Sequence, residues 1–163
     1  MGSTLTLESE KGIGSKFSFE LTFDYAPKLV QSGETKNSQD GDLSGVNILL
    51  VEDNKINMLV AKKILTSFNA IVTSAYDGQE ALDSMADGHS FQLVLMDLEM
   101  PVMNGYTAIY EMKKIYPETP VIALTASLVD QQMLEDLLAS GFNDCMAKPY
   151  QPQDLLQRIQ QQL

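Results

Sequence analysis

From Val46 onward, five short apolar runs alternate with five amphipathic stretches. The apolar runs are VNILLV (46–51), AIVTSA (70–75), QLVLM (92–96), PVIALT (120–125) and FNDCMA (142–147). The amphipathic stretches, which have helical periodicity, cover residues 55–68, 78–87, 105–115, 127–140 and 151–162. Near-continuous apolar runs are typical of parallel strands that are covered on both faces. Their alternation with helices predicts an α/β domain over residues 46–163, with a parallel sheet and right-handed crossovers.

The first 45 residues have a different pattern. TLTLESE and KFSFELTF alternate apolar and polar residues, and the glycine-rich KGIGS lies between them. This arrangement predicts a β-hairpin within residues 1–24. Residues 25–45 are polar and rich in Ser, Gly, Asp and Gln, so we interpret them as a linker. An isolated hairpin is marginally stable in water and needs another surface to pack on.

Composition narrows the class of protein. The chain has 163 residues and a formal net charge of −11, and its Lys and Arg residues form no basic cluster. Direct nucleic-acid binding needs a basic surface, so we do not expect it. No apolar run is long enough to span a bilayer and no signal peptide is visible, so we expect no membrane contact. The single cysteine excludes an internal disulfide and favours a cytoplasmic location.

Polar side chains suited to phosphoryl chemistry follow four of the five predicted strands. Glu52 and Asp53 follow the first strand, Asp97 the third and Lys148 the fifth, while Thr125 ends the fourth. The carboxyl ends of parallel strands meet at one edge of a sheet, so we expect these groups to lie together. Carboxylate oxygens favour a hard divalent cation such as Mg²⁺. A cation, an amine and a hydroxyl around one carboxylate would stabilise a transferring phosphoryl group, with Asp97 as the nucleophile.

Each of these residues has a simpler structural interpretation when it is considered alone. An Asp after a strand is commonly a turn or helix-capping residue, and Glu52 and Asp53 could cap the first helix. Thr125 could be an ordinary strand-end hydroxyl, and Lys148 a solvated surface amine. We favour the functional interpretation because complementary groups end four of the five strands of one predicted domain.

Four segments, in this order, resemble the receiver domain of two-component response regulators: LLVEDN, LVLMDLEMPVMNGYTA, VIALTA and DCMAKPY. The resemblance covers residues 46–163 and implies a flavodoxin-like (βα)5 fold with the strand order 2-1-3-4-5. It implies that Asp97 accepts a phosphoryl group from a phosphohistidine. It also implies a Mg²⁺ (or Mn²⁺) site that includes Asp97. In that site Asp53 binds the metal directly, Glu52 acts mainly through a bound water, and Glu99 contributes its backbone carbonyl.

The same resemblance assigns roles on the phosphoryl side of the site. Thr125 and Lys148 would contact the phosphoryl oxygens, and a cis peptide bond would join Lys148 to Pro149. The small Ala126 would leave room for the phosphodonor. Cys145 stands where many receivers carry Tyr or Phe, whose ring moves inward or outward with phosphorylation. A thiol cannot make that movement, so the departure at Cys145 puts this coupling in question.

Two further segments resemble parts of hybrid histidine kinases. Asn54 and Asn57 in VEDNKIN resemble receivers that are attached to such kinases. MGSTLTLESEKGIGSKFSFELTF resembles the last hairpin of a histidine-kinase ATPase domain. An expression-tag remnant followed by an unrelated hairpin is the alternative. The sequence contains none of the ATP-binding motifs of such a domain, so we expect no ATP binding by this chain alone.

We therefore expect a phosphoryl-accepting signalling module rather than a turnover enzyme, in which phosphorylation biases a two-state loop arrangement. Its partner would be the phosphohistidine of a kinase or a histidine phosphotransfer domain, and the chain would be a monomer or a weak dimer. The alternatives are a phosphorylation-independent interaction module and an aspartyl-phosphate phosphatase. Such phosphatases carry a D-x-D pair, whereas Glu99 occupies the second position here. A flavodoxin-like cofactor binder is disfavoured because the acidic VEDNKIN segment would repel a phosphate.

Overall fold

The computed structural model describes residues 5–10, 12, 14–19 and 41–163. Contacts divide the chain into two units, Met1–Asn37 and Ser38–Leu163. The first unit contains an antiparallel hairpin of β1 (Leu5–Glu10) and β2 (Gly14–Phe19). Leu7 pairs with Phe17 in this hairpin, and both side chains are exposed. The predicted hairpin is therefore present, while its predicted ends and residues 25–40 of the predicted linker lie outside the described residues.

The second unit is a five-stranded parallel sheet with helices on both faces. The strand order is β4-β3-β5-β6-β7, which confirms the predicted 2-1-3-4-5 order of a flavodoxin-like fold. The strands are β3 (Asn47–Val51), β4 (Ile71–Ala75), β5 (Leu93–Asp97), β6 (Val121–Thr125) and β7 (Asp144–Ala147). The helices are α1 (Lys55–Ser67), α2 (Gly78–Ala86), α3 (Gly105–Ile115), α4 (Gln131–Ala139) and α5 (Pro152–Gln162). No helix in the described part of the chain combines the length and apolar character that crossing a membrane would need.

Alternate strand residues supply two separate cores, one on each face of this sheet. On one face, Leu49 and Val51 pack in a cluster with residues of α2, α3 and α4. On the other face, Ile48 and Leu50 pack in a cluster with residues of α1 and α5. Every residue of β5 and β6 is buried. Burial on both faces explains why these strands have near-continuous apolar sequences and why a polar group at their ends stands out.

Helix α4 begins later than its sequence pattern predicts. We expected a helix over residues 127–140, and the observed helix is Gln131–Ala139. Asp130 caps it, because its side chain accepts a hydrogen bond from Met133 N (2.8 Å). Ser127 N instead donates to Thr125 Oγ1 (3.1 Å), which holds the start of the segment in a turn. The other helix and strand boundaries that we predicted within residues 46–163 agree with the structure to within two residues.

Residues 41–45, which we assigned to the linker, belong to the second unit. Leu43 is 1% exposed and belongs to the core cluster on the α1 and α5 face. Its N–H donates to the carbonyl of Phe68 at the end of α1 (2.8 Å). Asp42 Oδ1 accepts a hydrogen bond from Asn69 Nδ2 (2.9 Å), just beyond the same helix. The packed unit therefore begins ahead of its first strand.

Candidate functional site

Three carboxylates converge at the carboxyl edge of the parallel sheet. Asp97 is the last residue of β5, and Glu52 and Asp53 directly follow the neighbouring strand β3. One oxygen from each of these side chains lies within 4.8 Å of the others. Glu52 is 2% exposed and Asp97 is 5% exposed, whereas Asp53 is exposed. The structure therefore brings together the three acids that we expected at this edge.

The ammonium group of Lys148 joins two of these acids. Its Nζ lies 2.8 Å from Glu52 Oε2 and 2.7 Å from Asp97 Oδ2. Burial lowers the pKa of Lys148, but the hydrogen bonds and negative charges of Asp97 and Glu52 together outweigh burial, so its pKa is raised above the usual value. The lysine is therefore a cation at neutral pH. Three carboxylates against one ammonium leave the cluster with uncompensated negative charge.

Strands β6 and β7 place a hydroxyl and the lysine at the same edge. Thr125 is the buried last residue of β6, and its Oγ1 accepts a hydrogen bond from Ser127 N (3.1 Å). Its carbonyl accepts a hydrogen bond from Lys148 N (2.7 Å), which fixes the backbone of the lysine. Ala126, which lies between Thr125 and Ser127 in the loop after β6, is exposed. The peptide bond between Lys148 and Pro149 is cis, as predicted.

The loop between Asp97 and α3 is held close to Asp97 at two points. The N–H of Glu99 donates to Asp97 Oδ1 (3.2 Å), while the Glu99 side chain is exposed. A Cβ atom at Gly105, the first residue of α3, would lie 2.5 Å from the Asp97 carbonyl oxygen and 3.0 Å from Leu98 Cα. Only glycine therefore allows α3 to start this close to the end of β5. We did not predict this close approach of Gly105 to β5 from the sequence.

The sequence analysis also missed two residues that interact with the acidic cluster, Asn57 by a hydrogen bond and Tyr150 through charge. Asn57 Nδ2 donates to Glu52 Oε1 (3.1 Å), from the first turn of α1. Burial raises the pKa of Tyr150 to about 12, with help from the negative charges of Glu52 and Asp97. In the sequence analysis Asn57 was named only as part of the VEDNKIN segment, and Tyr150 occurred only as the last residue of DCMAKPY. The spacing of Asn57 and Glu52 does not reveal their hydrogen bond, and no local pattern indicates that Tyr150 lies near acids so distant in the chain.

Cys145 lies in the core rather than among the hydrogen-bonded groups of the cluster. It is a buried residue of β7 and packs in the core on the α3 and α4 face. Burial raises the pKa of its thiol, and the charge of Asp144 adds to that shift while Arg158 opposes it. The thiol is therefore protonated at neutral pH. At this position the structure shows a small core side chain in place of an aromatic ring.

The sequence matches the family described as the response regulator receiver domain over residues 48–160. Aerobic respiration control sensor protein ArcB of Escherichia coli is 33% identical over 153 residues, covering 91% of this chain and 19% of ArcB. Transcription factor SKN7 of Saccharomyces cerevisiae is 33% identical over 128 residues, covering 77% of this chain and 20% of SKN7. The chain spans about a fifth of the length of these curated relatives.

Solved structures show the same fold. The receiver domain of sensor histidine kinase PA1611 from Pseudomonas aeruginosa is 37% identical, with a TM-score of 0.65 over 72% of this chain and 97% of that one. Its description includes a magnesium ion coordinated in the active site cleft. Chemotaxis protein CheY4 of Vibrio cholerae is 28% identical, with a TM-score of 0.67 over 72% of this chain and 98% of that one. The chain therefore belongs to the response regulator receiver domain family.

Proposed function

We propose that this receiver domain accepts a phosphoryl group on Asp97 from a phosphohistidine. The observation that carries the proposal is the position of the Asp97 carboxylate, which is buried among Glu52, Asp53 and the ammonium of Lys148. An oxygen of Asp97 would form a bond to phosphorus while the P–N bond to the donor histidine breaks. The electron pair of the broken bond would return to the imidazole ring, which then takes up a proton.

The acidic cluster fits a divalent cation. Its three carboxylates offer the hard oxygen ligands that Mg²⁺ or Mn²⁺ prefers, and Lys148 neutralises only part of their charge. Glu52, Asp53 and Asp97 would hold the ion, together with the backbone carbonyl of Glu99. The magnesium in the PA1611 receiver supports this assignment. When bound, the cation would supply positive charge that offsets the repulsion between the carboxylates and an incoming phosphoryl group.

Lys148 and Thr125 would hold the phosphorylated form of Asp97. The Lys148 ammonium already binds Asp97 Oδ2 at 2.7 Å, so it can bind a phosphoryl oxygen attached to the same carboxyl group. Thr125 Oγ1 accepts a hydrogen bond from Ser127 N, which leaves its own proton free to donate. A donated bond to the phosphoryl group would move the loop that contains Ala126. This movement is the two-state change that would alter partner binding.

We also propose that the chain comes from a hybrid histidine kinase. A match to ArcB over 91% of the chain has to extend well ahead of residue 48, where the receiver match begins. This extension supports the assignment of residues 1–24 to the end of a kinase ATPase domain and of residues 25–45 to a linker. On this proposal the receiver works in the cytoplasm as a phosphoacceptor that catalyses its own phosphorylation, not as a turnover enzyme.

The phosphohistidine partner would dock on an apolar patch of α1. Ile56, Leu59 and Val60 are 74%, 67% and 52% exposed, and their spacing places them on one side of the helix. Val60 lines a surface cavity together with Lys148, so the patch adjoins the lysine that binds Asp97. Exposed apolar patches of this kind commonly mark protein interaction sites. A protein docked here would hold its phosphohistidine close to the acceptor.

Replacement of Leu59 by glutamate tests this docking surface. Leu59→Glu should slow phosphotransfer from a phosphohistidine protein at least about tenfold, because a charge would be buried in an apolar contact. Phosphorylation by acetyl phosphate should not change, because that donor does not touch α1. Ile115→Glu is the matched control, since Ile115 is 66% exposed and lies at the end of α3, outside α1. Equal slowing with both donors, or none with the protein donor, would contradict the docking proposal.

Phosphorylation by a small donor tests the proposed function itself. Incubation with Mg²⁺ and acetyl phosphate should add the mass of one phosphoryl group, measured on the intact protein. The gain should disappear with excess EDTA and in Asp97→Asn. A folded protein that gains no mass at millimolar donor would favour a phosphorylation-independent interaction module. An equal gain by Asp97→Asn would place the acceptor elsewhere.

A further inference from the structure

Both carboxylate oxygens of Glu52 are held by hydrogen-bond donors. Lys148 Nζ binds Oε2 at 2.8 Å. On the other side, Oε1 accepts hydrogen bonds from Asn54 N (3.2 Å) and from Asn57 Nδ2 (3.1 Å). Glu52 is 2% exposed, and a buried carboxylate is stable only when such donors replace the water that it has lost. Its orientation is therefore set by these three donors.

Asn54 and Asn57 form one local structure at the start of α1. Asn54 is the N-cap, and its Oδ1 accepts hydrogen bonds from Ile56 N (2.9 Å) and Asn57 N (3.2 Å). These bonds fix the backbone of Asn57 in the first turn, and its side-chain amide then reaches back to Glu52. Asn57 is itself exposed, so its side chain contributes this hydrogen bond rather than core packing.

We propose that Asn57 is a positioning residue that holds Glu52 with Oε2 directed at Lys148, and thereby preorganises the acidic cluster for a divalent cation. The inference rests on the cation site of the proposed function. Without the Asn57 amide, Oε1 would keep only the Asn54 N–H, and the carboxylate could rotate about its terminal bond. Outer-shell hydrogen bonds of this kind typically change metal affinity by about 10–100-fold.

The chemistry of an amide explains why asparagine suits this position. An amide donates a hydrogen bond to Glu52 without adding charge, so the negative charge that attracts a cation is unchanged. Aspartate at position 57 could not donate and would repel Glu52. Lysine would donate, but its positive charge would compete with the cation. An asparagine at position 57 can therefore set the geometry of the acidic cluster without changing the net charge of that cluster.

Titration of the protein with Mg²⁺, followed by calorimetry or by the amide signals of residues 52–54 in NMR spectra, tests the inference. Asn57→Ala should bind Mg²⁺ about tenfold more weakly than the unaltered chain. The matched control is Gln132→Ala, which removes an exposed amide–carboxylate bond to Asp136 Oδ1 (3.0 Å) in the first turn of α4. This control should bind Mg²⁺ as the unaltered chain does. A folded Asn57→Ala protein that binds within twofold of the unaltered chain would overturn the inference.

A second measurement does not depend on the folding of Asn57→Ala. In the metal-free chain, Glu52→Gln should shift the side-chain amide signal of Asn57 and leave that of Gln132 in place. An unmoved Asn57 signal would overturn the inference. Absence of saturable Mg²⁺ binding by the unaltered chain would instead overturn the cation site itself, so the two failures are distinguishable.

Discussion

At the scale of single residues, the unfavourable burial of polar groups is concentrated in one place. The buried polar residues in the described part of the chain are Glu52, Asp97 and Thr125, and all three lie at the carboxyl edge of the sheet. Two buried carboxylates a few ångströms apart destabilise a fold unless a cation lies between them. Lys148 supplies that cation. Such a local cost is expected at a functional site and not at a purely structural one.

Replacement of Lys148 by an uncharged residue should destabilise the fold. Lys148→Met leaves Glu52 and Asp97 without their shared cation, so we expect the free energy of unfolding to fall by about 3 kcal/mol. Urea denaturation at neutral pH in EDTA measures the change, and added Mg²⁺ should reduce it. Lys114→Met is the matched control, because Lys114 forms an exposed ion pair with Glu111 at 2.8 Å. Loss of that ion pair should lower the free energy of unfolding by less than about 1 kcal/mol. Equal costs for the two variants would contradict this account.

The pH dependence of the Lys148 contribution follows from its raised pKa. A lysine whose folded-state pKa exceeds its unfolded value stabilises the fold fully below the unfolded value of 10.5. That contribution is lost as the pH rises through the raised pKa. The difference in stability between the unaltered chain and Lys148→Met should therefore hold from neutral pH to about pH 9 and shrink above pH 10.5. A difference that grows with pH in this range would have the wrong sign.

At the scale of elements, the segment ahead of the sheet is part of the domain. Leu43→Ala should lower the free energy of unfolding by about 2–4 kcal/mol, because a buried leucine is removed from the core on the α1 and α5 face. Leu128→Ala, at a position that is 93% exposed, should change it by less than about 0.5 kcal/mol. Urea denaturation of both variants makes the comparison. A change of less than about 1 kcal/mol for Leu43→Ala would show that this segment is dispensable.

Most elements could be predicted because periodicity reports burial directly. The runs that became β5 and β6 are buried on both faces, and their apolar sequences stand out from the amphipathic helices. The predicted start of α4 was wrong because it is set by a hydrogen bond that the Asp130 side chain accepts from Met133 N, and the apolar pattern does not reveal that bond. Leu43 was missed because one apolar residue in a polar segment has no periodicity. Its burial depends on a tertiary contact with the end of α1.

At the scale of the whole molecule, the strand order brings residues that are distant in sequence together in one site. Glu52 and Lys148 are separated by 96 positions in sequence, and their side chains meet because β3, β5, β6 and β7 are successive neighbours in the sheet. The sequence predicted this convergence because each group lies at a strand end. It did not predict the orientation of Glu52, since that depends on donors from a different element. The placement of a residue thus follows from topology, whereas its orientation follows from side-chain contacts.

The central claim is that Asp97 is the phosphoryl acceptor, and chemical trapping tests it most directly. The protein is incubated with Mg²⁺ and acetyl phosphate and then treated with borohydride, which reduces an acyl phosphate to an alcohol. Peptide mass spectrometry should find homoserine in place of Asp97, only in samples that contained both Mg²⁺ and the donor. Homoserine at Asp53 or at another acid, with Asp97 intact, would contradict the account.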